Sequence, residues 1–216
     1  DVIVLGAGAA GLMAAQTAAQ RGRQVLVVEK ANKPGKKILM SGGGRCNFTN
    51  RYVEADNYIC SNPHFPKAAL HRYTPWDFID LVERHGIAYE ERQHSQLFCR
   101  DSARDILNML LAECDAAGVE LLCRCDARSL AAREAGGYEL QLLVDERPKT
   151  VTCQSLVVAT GALSIPTLGG SDLGYHIAEQ FGLSLQPRRA GLVPLMFSDA
   201  IHGVCERLAG LALPVT

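Results

Sequence analysis

The chain has 216 residues, 48% hydrophobic and 21% charged, with a formal net charge of −1, an ordinary globular composition sufficient for one large domain. That balance leaves no electrostatic footprint for nucleic acid or an anionic membrane, and no apolar run reaches the ~18 residues of a membrane span. Eight cysteines, scattered except for Cys123 and Cys125 and without secretory features, read as reduced thiols of a cytoplasmic protein. Both ends read as cut. An apolar strand starts directly after Asp1, and "LAGLALPVT" closes in apolar sequence, so a fragment of something longer is expected.

The first thirty residues, "DVIVLGAGAAGLMAAQTAAQRGRQVLVVEK", hold Gly6, Gly8 and Gly11 as G-x-G-x-x-G. Val2 to Leu5 is an unbroken apolar strand, as in a parallel sheet covered on both faces. Residues 12–21 are alanine-rich and helical, Gly22 can stop that helix, and Gln24 to Val28 forms a second strand ending at Glu29. In such a unit the first glycine makes the turn and the second lets a pyrophosphate approach the backbone. The third lets the helix pack on the sheet, with Ala15 and Ala19 following on the same face. Glu29 is placed to accept ribose hydroxyls, and an acid there disfavours a 2′-phosphate and hence NADP.

"KILMSGGGRCNFTN" follows, with Gly42, Gly43 and Gly44 in a row. A Walker A loop ending at Gly35-Lys36 would need glycine where Lys30 stands, so that reading fails. The segment leaves the carboxyl end of the second strand, beside any bound nucleotide. There the glycines either present amides to a planar or anionic group, with Arg45 and Asn47 as directed donors, or simply turn the chain.

Residues 51–66 are irregular. "TPWDFIDLVERHG" reads as a helix with Thr74 as N-cap, Pro75 at the first position and Gly86 as stop. "IAYEERQHSQLFCR" alternates as a hairpin, and "SARDILNMLLAECDAAG" is a second capped amphipathic helix. "VELLCRC" is the next strand, a β-meander runs from Ser129 to Cys153, and "SLVVATG" is a further buried strand ending at Gly161. "SDLGYHIAEQFG" is a capped helix, after which "RRAGLVPLMF" leaves the α/β pattern. The fold class is therefore α/β, a Rossmann-like domain with a parallel sheet, helices and a β-meander over residues 1–187. Residues 188–216 are expected to begin an inserted β-rich domain.

GAGAAG with Glu29-Lys30, "KKILMSGGGRCNFTN" and "VVATGALSIPTLGGSDLGY" together resemble the BaiN-like family of bacterial FAD-dependent flavoproteins, over essentially the whole chain. The resemblance implies FAD, with the glycine triplet close to the isoalloxazine. It implies cofactor contacts from Gly6, Gly8, Ala9, Ala10, Gly11, Glu29, Lys30, Lys37 and Ser41. Gly42, Gly43, Gly44, Arg45 and Asn47 join them. By the same likeness Ala127 meets the adenine from just beyond its strand, and Ala159, Thr160 and Gly161 lie over the dinucleotide. Ala162 stands where the family usually shows a second glycine, and "GGSDLGY" also departs from its pattern.

Other chemistry is poorly supported. Cys46 reads as a packing or flavin-lining thiol, since the nearest cysteine in sequence is Cys60. Cys123 and Cys125 lack the partners of a zinc site, the six histidines show no ligand spacing, and "HSQLFCR" has no G-x-S-x-G context. No catalytic acid or base is assigned. The expected function is an FAD-dependent oxidoreductase acting on a small molecule, with NAD(P)H as transient reductant and with neither nucleic acid nor membrane as partner. Arg45 and the triplet amides are candidates for tuning the flavin. An RNA-modifying flavoprotein is the alternative enzyme, opposed by the neutral charge and by the lack of a basic stripe beyond Arg188-Arg189. A non-catalytic FAD-binding or sensing protein is the third reading.

Overall fold

A computed structural model describes residues 1–165, 168–191 and 196–211. Strands β1 (Val2–Leu5), β2 (Val25–Val28), β6 (Glu120–Leu122) and β10 (Ser155–Val158) form a parallel sheet in the order β10-β1-β2-β6, with Val2 opposite both Val25 and Ser155. The unbroken apolar runs of β1 and β2 are required because both faces are covered. Val4, Val25 and Val27 point into one core and Ile3, Leu5 and Val28 into the other, the period-two alternation of a strand.

The first core is closed by helices α1 (Ala9–Gln20) and α5 (Ala103–Ala116). Ala15 is fully buried, so the small-residue face of α1 does lie on the sheet. In α5, Ile106, Leu107, Met109, Leu110 and Cys114 are buried at helical spacing, and the Ser102 hydroxyl accepts the Arg104 N–H at its start. Full burial of side chains such as Leu12 and Leu110 contributes about 1.5–3 kcal/mol each. Helix α4 (Pro75–Arg84) carries the expected capping box, in which Thr74 Oγ1 accepts the Asp77 N–H at 3.3 Å and Asp77 accepts the Thr74 N–H at 2.6 Å.

The second core is closed by an antiparallel meander, β7 (Cys125–Ala132), β8 (Tyr138–Val144) and β9 (Arg147–Cys153), together with helix α6 (Leu173–Gln180). A third sheet, β3-β5-β4, joins β3 (Asn47–Asn50), β5 (Gln96–Cys99) and β4 (Tyr89–Glu91). The expected hairpin is thus present, and β3 joins it across some fifty residues of chain. In the chain α2 (Lys36–Met40) precedes β3, and the short α3 (Lys67–Arg72) lies between β3 and β4.

Several boundaries differ from the sequence reading. "VELLCRC" is not one strand: Arg124 takes φ +51 between β6 and β7, and the chain changes sheets there. The meander therefore starts at Cys125, and Ala127 lies inside it rather than beyond the preceding strand. β10 is half-exposed, with Val158 40% accessible, because it stands at the sheet edge among the described residues.

The chain divides into two compact units, Asp1–Leu183 and Ser184–Thr216, against a sequence boundary placed at 187/188. In the second unit the described residues contribute one helix, α7 (Asp199–Arg207). Parts of the segments read as leaving the α/β pattern, 192–195 and 212–216, lie outside the described residues. Among the described residues no helix is long and apolar enough to cross a membrane.

Candidate cofactor site

Gly6 leaves β1 with φ +104 and donates its N–H to Val28 O at 2.8 Å, which sets the turn against β2. A Cβ at Gly6 would overlap the Ala159 carbonyl, and one at Gly11 would overlap the Gly6 carbonyl oxygen. Both positions therefore hold the strand end, the helix and β10 at backbone contact. Gly8 differs. It is the N-cap of α1, no side chain caps the helix there, and a Cβ would meet nothing within 4 Å. The first-turn amides, including those of the exposed Ala9 and Ala10, face open space at the positive end of a twelve-residue helix.

Glu29 closes this turn from the end of β2. Its Oε2 accepts the Ala7 N–H at 2.9 Å and its Oε1 the Ala31 N–H at 2.8 Å. The Ala7 carbonyl accepts the Gly35 N–H at 2.9 Å, so the fully buried Ala7 is held on both sides. Two of the carboxylate's roughly four lone-pair directions remain for another donor.

The glycine triplet continues from α2 as a tight turn, Ser41–Gly44, with φ of +57, +66 and +86 at the three glycines. A Cβ at Gly42 would stand 2.7 Å from the Phe98 ring and 2.8 Å from Asn47 N, whereas Gly43 has nothing within 4 Å. One side of the turn is thus backed by the fold and the other is open. Ser41 donates its hydroxyl to Ile38 O at 2.7 Å and its carbonyl accepts the Cys46 N–H. Lys37 reaches the loop after β10, 3.0 Å from Ser164 Oγ and 3.4 Å from Ala162 O, and stands near Gly161. Ala159 donates its N–H to Leu5 O, and Thr160 follows it at the rim. Arg45 is half-exposed and 3.8 Å from Glu90, while Asn47 opens β3 and is exposed. Lys30 pairs with Asp126 at 3.3 Å.

The structure thus brings together the turn at residues 6–11, Glu29, Lys37, residues 159–161 and, through α2, the triplet. Ala127 is used otherwise: it pairs with Leu142 and packs against the second core. Two neighbours escaped the sequence reading. Phe98 backs the triplet, with the Arg92 guanidinium 4.2 Å from its ring centroid. Cys99 is the cysteine that interacts with Cys46, whereas Cys60 is exposed. Burial pushes the Cys99 thiol up to about 12, with the Cys46 and Asp105 charges adding to it, and burial likewise raises Cys46. Both are neutral thiols at ordinary pH. Among the described residues no group of three or more His, Cys, Asp or Glu is placed to hold a metal ion.

The family described as HI0933-like protein Rossmann domain matches residues 1–200. A protein of Escherichia coli K12 named ribosomal RNA dihydrouridine synthase is 51% identical over 214 residues, 99% of this chain and 52% of its own length. A protein of Haemophilus influenzae with the same name is 45% identical over 214 residues, 99% of this chain and 53% of its own. The chain spans about half the length of these curated relatives. The crystal structure of 3-ketosteroid-delta4-(5alpha)-dehydrogenase from Rhodococcus jostii RHA1 superposes with a TM-score of 0.53 at 16% identity, over 76% of this chain and 46% of that one, a likeness of fold.

These relatives refine one expectation and correct another. The chain belongs to the HI0933-like family, and the narrower BaiN-like assignment is not confirmed by the names of the two relatives at 51% and 45% identity. The exclusion of nucleic acid is overturned, because the two relatives at 51% and 45% identity along 99% of the chain are named for an RNA. The physical reason lies in averaging. Residues 30–76 carry eight Lys or Arg and two Asp or Glu, a local net of +6 offset by −7 elsewhere. A chain-wide charge of −1 conceals a basic stretch of that kind.

Proposed function

The chain belongs to the HI0933-like family, its cofactor is FAD, and on that premise we propose that it is the FAD-holding part of a flavoenzyme that converts a uridine of ribosomal RNA to dihydrouridine. The observation that carries this reading is identity of 51% and 45% along 99% of the chain to two proteins of that name. The basic stretch from 30 to 76 supports it. With Lys30, Arg45 and Arg51 paired to Asp126, Glu90 and Glu91, the cations Lys33, Lys36, Lys37, Lys67 and Arg72 form no ion pair among the described residues, more than the one diphosphate of FAD neutralises.

In this reading the residues have separate tasks. The open side of Gly8 and the first-turn amides of α1 receive the diphosphate. Glu29 offers its remaining lone pairs to the ribose while it holds the turn. Residues 159–161 and Lys37 border the dinucleotide, and the open face of Gly43 and Gly44 admits the ring system without a Cβ in the way. Arg45 stands beside that face as a donor. Reduced FAD, when bound, would supply the hydride that, with a proton, saturates the pyrimidine C5=C6 bond, and NAD(P)H would then reduce the oxidised FAD left behind.

The test compares ribosomal RNA from cells lacking the complete gene with RNA from complemented cells, by digestion to nucleosides and mass spectrometry. Purified full-length protein with NADPH and the deficient RNA should restore the missing dihydrouridine. Equal dihydrouridine in both strains and no product in the purified reaction would overturn the reading.

A further inference from the structure

The segment that leaves β3 combines cations with exposed aromatic rings. Between Asp56 and Asp77 there is no acidic residue, while Lys67, Arg72, His64 and His71 all fall there. Lys67 and Arg72 are exposed on α3 and form no ion pair among the described residues. The same stretch exposes large apolar rings: Phe65 is 77% accessible, Tyr58 49% and Trp76 49%. The Arg51 guanidinium lies 5.4 Å from the centroid of the Trp76 ring and is fixed by Glu91 at 2.9 Å. Phe65 and Tyr58 left in water lose apolar burial, and Lys67 and Arg72 gain no ion pair within the described fold.

The position is also informative. β3 is four residues long, about 13 Å, and runs from the glycine turn to Arg51. The aromatic and basic segment is therefore anchored one short strand from the proposed flavin face. A uridine in folded RNA must leave its stack to reach such a face, and its neighbours then lose stacking partners. Exposed rings replace that stacking, and exposed cations between them take the phosphates.

We propose that residues 57–76 form a docking surface for a single-stranded segment of RNA, with Phe65, Tyr58 and Trp76 stacking on bases and Lys67 and Arg72 binding phosphates. The proposal rests on the ribosomal RNA reading above and adds the surface that holds the strand beside the site. Charge complementarity selects this occupant: a protein interface depletes lysine at its centre, whereas a polyanion requires unpaired cations such as Lys67 and Arg72.

The test uses the full-length protein loaded with FAD and a labelled single-stranded oligouridine, titrated by fluorescence anisotropy at several salt concentrations. Lys67→Ala with Arg72→Ala should flatten the slope of log affinity against log salt by about 1.4, roughly 0.7 for each phosphate contact removed. Phe65→Ala should weaken binding about 5- to 160-fold, and Phe65→Tyr should restore it. The flavin absorbance and melting temperature of each variant show that fold and cofactor are intact. Wild-type affinity and slope in all variants would overturn the surface alone, since RNA would then bind elsewhere on an active enzyme. If the wild-type protein itself bound no RNA and formed no dihydrouridine, both this proposal and the functional reading would fall. Loss of self-association in Phe65→Ala with RNA affinity unchanged would mark a protein interface and equally overturn it.

Discussion

The carboxylate of Glu29 accepts the Ala7 backbone N–H at 2.9 Å, tying the end of β2 to the turn between β1 and α1. Its second oxygen accepts the Ala31 N–H, so one side chain organises both segments that leave the sheet at this edge. An acid here therefore has a structural task before any ribose arrives. The acceptor is charged and part-buried, where each such bond contributes about 1.5–3 kcal/mol.

Glu29→Gln turns one acceptor oxygen into a donor facing an N–H. Protein stripped of FAD should lose about 1.5–3 kcal/mol of unfolding free energy in urea, and FAD affinity should fall as well. Unchanged stability with weaker FAD binding would confine Glu29 to the ribose.

Gly8 and Gly11 should respond differently to the same methyl group. Gly8 has φ −87 and open space around its missing Cβ, and the entropic gain of alanine opposes its weakness as an N-cap, so Gly8→Ala should change apoprotein stability by no more than about 1 kcal/mol. FAD affinity should nevertheless fall at least about tenfold, because the methyl occupies the approach of the diphosphate. Gly11→Ala drives its methyl into the Gly6 carbonyl and should destabilise the apoprotein by about 1–3 kcal/mol or more. Thermal melts without cofactor, paired with flavin titrations, separate the two. Equal effects on both readouts would remove the distinction.

The same division applies within the triplet. At Gly43 a side chain meets only the left-handed backbone cost, so Gly43→Ala should lose about 1–2 kcal/mol. At Gly42 the methyl also presses on Phe98 and on Asn47 N, and one of these is backbone. Gly42→Ala should therefore be clearly the more destabilising of the two in denaturant unfolding, and the reverse order would show that β3 moves freely against the turn.

What could be read in advance was local. The βαβ unit declared itself through contiguous apolar runs and glycines whose tasks concern atoms a few residues away. The caps at Thr74 and Ser102 are likewise local chemistry. What escaped depends on distant partners. Arg124 splits one apolar run between two sheets, and nothing in "VELLCRC" marks that residue as left-handed. Phe98 and Cys99 reach the glycine turn only because β5 pairs with β3. The basic stretch at 30–76 was legible as charge, but an average over the whole chain hid it.

Cys99 gives the pH dependence a defined sign. Its thiol is pushed up to about 12 in the folded protein, by burial first, from an ordinary value of 9.0. Below pH 9 both folded and unfolded chains keep the proton, and the stabilisation from this group is fully present. Above pH 9 the unfolded chain releases its proton while the native chain retains it, so the unfolded state binds fewer protons and stability falls as pH rises. The slope for one such group is about 1.4 kcal/mol per pH unit and persists toward pH 12. Other buried thiols, including Cys114 and Cys125, are raised in the same direction, so the wild-type curve alone cannot isolate Cys99. Cys99→Ala removes only this contribution. Its stability deficit relative to wild type, measured by urea unfolding at pH 8, should narrow by about 1.4 kcal/mol for each pH unit above 9. A deficit that stays constant from pH 8 to pH 10.5, roughly half the window, would mean that Cys99 ionises as readily in the native core as in the unfolded chain.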